Sequence, residues 1–276
     1  MRIFVTGAAG YIGTAVVREL IGAGHQVVGL TRSERGVQVL KSLGAEAARG
    51  VLEDLDLLRR CAATSDGVIH LAFNHDFSNF AASLATDLSA IEAMGEGLAG
   101  SGKPLVITAH ANGKASEDAA LAFIERGVRA SIVSLAPSVH GEGDKGFIPQ
   151  LIRIAQERGS SAYIGDGTNR WPAIHRLDAA VLFRLAVESA PAGSRLDGVA
   201  DEGIPFSEIA GVIGRHLNVP EASIPREEAQ AVFGFLGMVA SLDLARPSEG
   251  TKELLGWKPV QPGLLVDLEQ GHYFTK

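Results

Sequence analysis

Apolar residues in the first half of the chain fall into two alternating patterns. Short runs at residues 2–5, 27–31, 45–49, 67–71, 105–108 and 131–135 are compact apolar blocks bounded by glycine or polar turns, the mark of buried strands. Between them, residues 11–23, 34–43, 55–63, 80–97 and 117–126 carry apolar side chains three and four apart, which predicts helices. Gly22 with Gly24, Gly44 and Gly127 stand where helices stop, each just before the next apolar run. Strand and helix alternating in this way predict an α/β protein with a doubly wound parallel sheet. Beyond Pro137 the pattern loosens into a loop at 141–146, helices at 147–158 and 181–188, and a C-terminal stretch broken by Pro205, Pro220, Pro225, Pro247, Pro259 and Pro262. This predicts a large domain of residues 1–140, with 168–192 returning to it. A smaller lobe of 141–167 and 193–276 is expected at the carboxyl edge of the sheet.

Composition narrows the class of partner. With 46% apolar and 21% charged residues in 276, the chain has ample material for a packed core, which excludes wholesale disorder. A net charge of -7 with no basic run argues against a nucleic-acid surface. The lone Cys61 has no disulfide partner, and no Cys/His spacing suggests a metal site, so a reducing, cytoplasmic location is expected. The opening Met-Arg-Ile-Phe-Val-Thr-Gly runs straight into a strand instead of a leader, and no run approaches the roughly 18 to 20 apolar residues of a membrane span. A small molecule is the expected partner, with no nucleic acid and no membrane.

Candidate chemistry begins at Thr6-Gly-Ala-Ala-Gly-Tyr-Ile-Gly13, which closes the first strand and opens the first helix. Gly7 permits a tight turn, Gly10 lets backbone N–H groups approach a pyrophosphate, and Gly13 lets the helix lie against the strand, so Gly7, Ala9, Gly10, Tyr11, Ile12 and Gly13 are read as a dinucleotide cradle. The tip of the second strand selects the nucleotide: a carboxylate there bonds a ribose 2'-hydroxyl, and an arginine pairs with a 2'-phosphate. Here the tip is Thr31-Arg32-Ser33, which favours NADP(H) over NAD(H).

This turn, the Val68-Ile-His-Leu-Ala72 strand, the segment Leu135-Ala-Pro-Ser-Val-His-Gly141 and the late Glu253-Leu-Leu-Gly-Trp-Lys-Pro259 together resemble the extended short-chain dehydrogenase/reductases, whose members include NAD(P)-dependent epimerases, dehydratases and reductases. The resemblance implies a Rossmann domain with a C-terminal substrate lobe, as a monomer or a homodimer. It places Leu71, Ala72 and Phe73 on the adenosine side of the cofactor, and Pro137, Ser138 and Val139 near the nicotinamide. Leu52 belongs to the cofactor set too, although Val51 stands where relatives often carry a carboxylate.

Members that transfer hydride usually carry Tyr-x-x-x-Lys on the helix after the fifth strand, and this chain has no tyrosine between Tyr11 and Tyr163. An alignment through Ser116 puts Gly113 and Glu117 at those two positions. Thr108 matches the hydroxyl that polarises a substrate carbonyl, but a threonine has no suitable pKa for proton transfer near neutrality. His75 and His110, after the fourth and fifth strands, are the catalytic candidates that remain. His140, Tyr163, Trp171 and His175 are read as substrate contacts, with Tyr163 also able to supply a proton. The expected function is an NADP(H)-binding oxidoreductase acting on a small carbonyl or alcohol. The alternatives are a catalytically inactive NAD(P)(H)-binding sensor and a sugar-nucleotide epimerase or dehydratase.

Overall fold

A computed structural model describes residues 1–74 and 79–275, so His75 lies outside the described residues. The first half runs β1 (Arg2–Thr6), α1 (Tyr11–Gly22), β2 (Gln26–Thr31), α2 (Glu34–Ser42), β3 (Glu46–Arg49), α3 (Leu55–Ala63), β4 (Gly67–His70), α4 (Phe80–Leu98), β5 (Pro104–Thr108), α5 (Lys114–Ala122) and β6 (Arg129–Leu135). There follow β7 (Ser138–His140), α6 (Phe147–Arg158), β8 (Ser161–Ile164), β9 (Arg170–His175) and α7 (Arg176–Ser189). The chain continues through β10 (Arg195–Gly198), β11 (Asp201–Pro205), α8 (Phe206–Leu217) and β12 (Glu221–Ile224), then α9 (Ala229–Phe233), α10 (Leu236–Ala240), α11 (Glu249–Leu255) and α12 (Leu264–Glu269).

Two compact units result. The first contains Met1–Ser134, Ala179–Leu196 and Gly250–Trp257. Its boundary thus falls before Leu135, the returning segment is 179–196 where the sequence pattern placed 168–192, and α11 joins it as well. The sheet order is β10-β6-β5-β4-β1-β2-β3, with parallel pairing from β3 through β6. Alternation along the strands sorts the two faces. Phe4, Val28, Leu30, Val68, Leu105, Ile107 and Ile132 pack with Leu58 and Ala62 of α3, Ile91 and Met94 of α4 and Ala120 of α5. Arg184 of α7 pairs with Glu19 of α1 at 2.6 Å. The order reverses at β1, where the chain leaves first toward β2 and later toward β4, and ligands of open α/β sheets bind outside the carboxyl ends at such a switch point.

The second unit contains Leu135–Asp178, Asp197–Glu249 and Lys258–Lys276. It holds a three-stranded sheet β11-β9-β7 and a two-stranded sheet β12-β8 around a core that includes Trp171, Phe206, Phe233 and Leu264. No helix among the described residues is long and apolar enough to cross a membrane.

Candidate functional site

The glycine turn has the tightness its spacing implies. Gly7 has φ +66°, and a side chain there would bring its Cβ to 2.8 Å from the backbone nitrogen of Ala72. At Gly13 a Cβ would sit 2.1 Å from the carbonyl oxygen of Gly7, so only glycine lets α1 start this close to β1. Gly10 N–H donates to Gly7 O at 2.9 Å and closes the turn. The N-terminus of α1 has no side-chain cap and no acidic residue in its first turn. Its leading N–H groups therefore keep their donor capacity beside the positive end of the helix dipole, and Ala9, Tyr11 and Ile12 flank them half-buried. That donor set fits a pyrophosphate, and so fits a dinucleotide cofactor.

At the tip of β2, Thr31 is buried and Ser33 caps α2, its hydroxyl accepting from Gly36 N–H at 3.1 Å. Arg32 is exposed and makes no ion pair among the described residues. Glu34 is engaged on the other side by Gln38 at 3.2 Å and Arg49 at 3.7 Å. Leu52, Leu71, Ala72 and Phe73 are half-buried in this same unit.

Below the switch point runs a chain of buried polar groups that ties the turn to α4 and α5. The Thr6 hydroxyl accepts from Leu71 N–H at 3.1 Å and Ala72 N–H at 3.2 Å, which fills its lone pairs. Its one proton is then donated to His70 Nδ1 at 2.7 Å, leaving His70 Nε2–H to donate to Asp87 Oδ1 at 3.0 Å. Ser116 donates to the other carboxylate oxygen at 2.6 Å. Burial alone would push the Asp87 carboxyl up, but the bonds from His70 and Ser116 and the nearby His110 outweigh it and hold the group below its ordinary value.

His110 stands at the edge of this chain, on the turn between β5 and α5 that Gly113 N–H closes on the His110 carbonyl at 2.9 Å. Its ring lies over Phe73, centroids 4.1 Å apart, and its Nε2 is 3.9 Å from Asp87 Oδ1. Thr108 is oriented differently from the carbonyl-polarising role expected of it: its hydroxyl donates to the backbone carbonyl of His70 at 3.0 Å, so that proton is already committed.

Pro137, Ser138, Val139, His140, Tyr163, Trp171 and His175 belong to the second unit. Trp171, expected at a pocket border, is a fully buried core residue with Phe206 at 4.9 Å and Phe147 at 5.9 Å between ring centroids. Tyr163 packs half-buried against the same core. His140, expected at the substrate, is also fully buried, and its Nδ1–H donates to Asp267 Oδ2 at 2.8 Å. His175 meets the His140 ring edge-on at 5.3 Å and accepts Leu177 N–H at 3.2 Å, and burial, with His140 beside it, lowers its pKa. Tyr273 accepts Gly141 N–H at 3.0 Å and donates to Asp144 at 3.0 Å, which fixes the loop after β7.

Sequence reasoning did not single out Thr6, His70, Asp87, Ser116 or Asp267. One signal was present for Asp87, which shares a helical stripe with Ala90, Ile91 and Met94 and is a carboxylate where periodicity calls for an apolar side chain.

The sequence profile described as "NAD dependent epimerase/dehydratase family" matches residues 3–95. The chain is 48% identical over 295 residues to a Schizosaccharomyces pombe protein described as "Uncharacterized protein C2A9.02", spanning 99% of this chain and 100% of that one. It is 27% identical over 256 residues to the 2-alkyl-3-oxoalkanoate reductase of Stenotrophomonas maltophilia, spanning 80% of this chain and 77% of that one. The structure of DesIV, the dTDP-glucose 4,6-dehydratase of Streptomyces venezuelae with NAD and TYD bound, shares the fold at a TM-score of 0.76 and 18% identity, over 99% of this chain and 96% of that one. Residues 3–95, which hold the glycine cradle and the first strands of the parallel sheet, form a domain of the NAD dependent epimerase/dehydratase family.

Proposed function

We propose that the protein is an NADP(H)-dependent oxidoreductase that interconverts a small carbonyl and its alcohol. The observation that carries this is the tip of β2, where Thr31-Arg32-Ser33 meets the N-terminus of α2 and the nearest carboxylate, Glu34, is engaged by Gln38 and Arg49. Arg32 supplies a planar fork for a 2'-phosphate, and the capped start of α2 adds a positive dipole end. When bound, the dinucleotide supplies or takes a hydride. The chain's own residues hold its pyrophosphate at the Gly7–Gly13 turn and shape the adenosine side with Leu71 and Ala72. The 3-oxoacid reductase named among the relatives supports carbonyl reduction as the chemistry.

The test is a paired titration of cofactor-free protein with NADPH and NADH, followed by an NADPH oxidation assay against aldehydes, ketones and 3-oxoacids. Arg32→Ala is expected to weaken NADPH binding about tenfold and NADH binding hardly at all, in line with the loss of a charge-assisted hydrogen bond. Equal losses for the two nucleotides would sink the NADP(H) assignment.

A second reading, a nucleotide-binding sensor without turnover, is favoured by α5. Glu117, aligned through Ser116 with the family's lysine, is there paired with Arg195, and Gly113 takes the tyrosine position. NADPH binding without oxidation across the panel would select it.

A further inference from the structure

We propose that Arg49, on the tip of β3, is the second arginine of the site for the cofactor's 2'-phosphate, and that Glu34 is the competitor which that phosphate must displace. The inference rests on the NADP(H) reading and names further residues that set the choice between the two nucleotides.

The sheet brings the groups together. β2 and β3 run parallel, with Thr31 paired to Arg49 and Gly29 to Ala47. Paired side chains share a face, and the face that carries Thr31 and Arg49 also carries Gly29, where a Cβ would lie 2.7 Å from Leu40 of α2. Thr31 and Arg49 therefore stand side by side under α2, at the carboxyl ends of adjacent strands. A dinucleotide held at the Gly7–Gly13 turn brings its adenosine ribose to this tip.

Hydroxyl donors converge on the same place. Thr31 is 7% exposed, and its hydroxyl has no hydrogen-bond partner among the described residues. It is aimed at the first turn of α2: a Cβ on Gly36 would lie 1.9 Å from Thr31 Oγ1 and 3.2 Å from Ser33 Oγ, so the glycine lets both hydroxyls close on the helix start. Ser33 accepts from Gly36 N–H at 3.1 Å and keeps its own proton to donate. The nine-residue α2 turns the positive end of its dipole to this tip. A buried hydroxyl without a partner, beside a helix N-terminus and an arginine, is a receptor for an oxyanion.

Arg49 is loosely held. Its guanidinium is 3.7 Å from Glu34 Oε2, beyond hydrogen-bond distance, and the two side chains are 67% and 65% exposed. An ion pair so open to water is weak. A phosphate monoester carries about 1.5 to 2 negative charges at pH 7 and takes an arginine fork through two parallel bonds. It outcompetes a single carboxylate for Arg49, while Glu34 keeps the bond from Gln38 Nε2 at 3.2 Å. NAD(H) offers a ribose hydroxyl in place of the phosphate and leaves Arg49 with Glu34. Arg32 and Arg49 thus reach the phosphate from two strands, and Glu34 limits what the second one adds.

The experiment titrates cofactor-free wild type, Arg49→Gln, Arg49→Lys, Glu34→Gln and Arg32→Ala with NADPH and NADH by calorimetry. It repeats the series with adenosine 2',5'-bisphosphate and adenosine 5'-monophosphate, which lack the nicotinamide half. Arg49→Gln is expected to weaken NADPH and the bisphosphate about five- to tenfold and to leave NADH and the monophosphate within about twofold. Arg49→Lys keeps the charge without the fork and is expected to fall between. Glu34→Gln is expected to tighten NADPH about two- to fivefold, the strength of an exposed ion pair, and to leave NADH unchanged. If Arg49→Gln weakens both nucleotides alike, or neither, while Arg32→Ala still weakens NADPH selectively, the role of Arg49 is overturned and the NADP(H) reading stands. A loss of NADH affinity in Glu34→Gln means that the carboxylate holds the ribose, and it overturns the competitor role. Equal binding of NADPH and NADH by the wild type overturns the NADP(H) reading and this subsite together.

Discussion

Each unit holds a histidine facing a buried aspartate, and the two pairs are built to opposite ends. In the second unit His140 is 0% exposed and Asp267 Oδ2 accepts its Nδ1–H at 2.8 Å, a complete bond sealed inside the unit. In the first, His110 keeps 17% of its side chain accessible and stands 3.9 Å from Asp87, a carboxylate whose direct bonds are taken by His70 and Ser116. A direct pair fastens two segments, whereas Asp87 spends its bonds on His70 and Ser116 and leaves His110 beyond hydrogen-bond distance, its ring packed on Phe73. Access and distance tell the two pairs apart, although His140 ends β7 and His110 follows β5, places where a sequence motif would call either catalytic.

The largest effect that tests the comparison is expected at the sealed pair. Asp267→Ala leaves His140 buried without its partner and should cost about 3–5 kcal/mol of stability, read by urea unfolding. Asp87→Asn keeps the shape and one acceptor oxygen, and the Ser116 hydroxyl can turn to accept from the new amide N–H, so a smaller loss is expected there. Next comes the contrast between the two histidines. His140→Asn, whose amide N–H stands in for Nδ1–H, is expected to lower the melting temperature, and His110→Gln, outside hydrogen-bond reach of its carboxylate, to lower it less. If both variants lower it equally, the difference between the two pairs is wrong.

Tyr273→Phe follows, with an expected loss of about 1 kcal/mol from its bonds to Gly141 and Asp144 and no change in NADPH affinity. The smallest effect concerns pH. His175 is held below its ordinary 6.5 mainly by burial, so the unfolded chain takes up its proton first. The associated stability is whole above pH 6.5 and drains away as pH falls through the lowered folded value. His175→Gln should flatten that part of the stability profile, measured as melting temperature against pH; an unchanged slope would remove His175 as its source.

How much of this was legible in the sequence depends on distance along the chain. The strands, the cradle and the tip of β2 are local patterns, and Gly7, Gly10, Gly13 and Arg32 carry their meaning within a few residues of each other. The polar chain below the turn is assembled from Thr6, His70, Asp87 and Ser116, which four separate elements bring together, so no spacing rule marks it. His140 and Asp267 are 127 residues apart, and only folding makes them a pair. Trp171 misled for a related reason. An aromatic among arginines and a histidine looks like a pocket wall, yet its strand register turns the indole toward Ile204 of β11 and the core. The strands of the second unit are short, three to six residues long, which leaves too little alternation to recognise.

The division of the first unit into three stretches of chain has a consequence for how the molecule is made. Residues 1–134 contain the whole glycine turn, but most of α7 and the start of the outermost strand, β10, come from 179–196, and most of α11 from 250–257. During synthesis, β6 waits with an open edge until Ser194 arrives to accept the bond from Ile132 N–H, and Arg129 waits for the carbonyls of Val187 and Ala190. A nascent chain long enough to own every glycine of the cradle therefore still shows a bare apolar sheet face and an unpaired strand, surfaces that invite aggregation and chaperone capture. The glycine turn is thus complete in sequence long before the last segments of its unit, 179–196 and 250–257, are made.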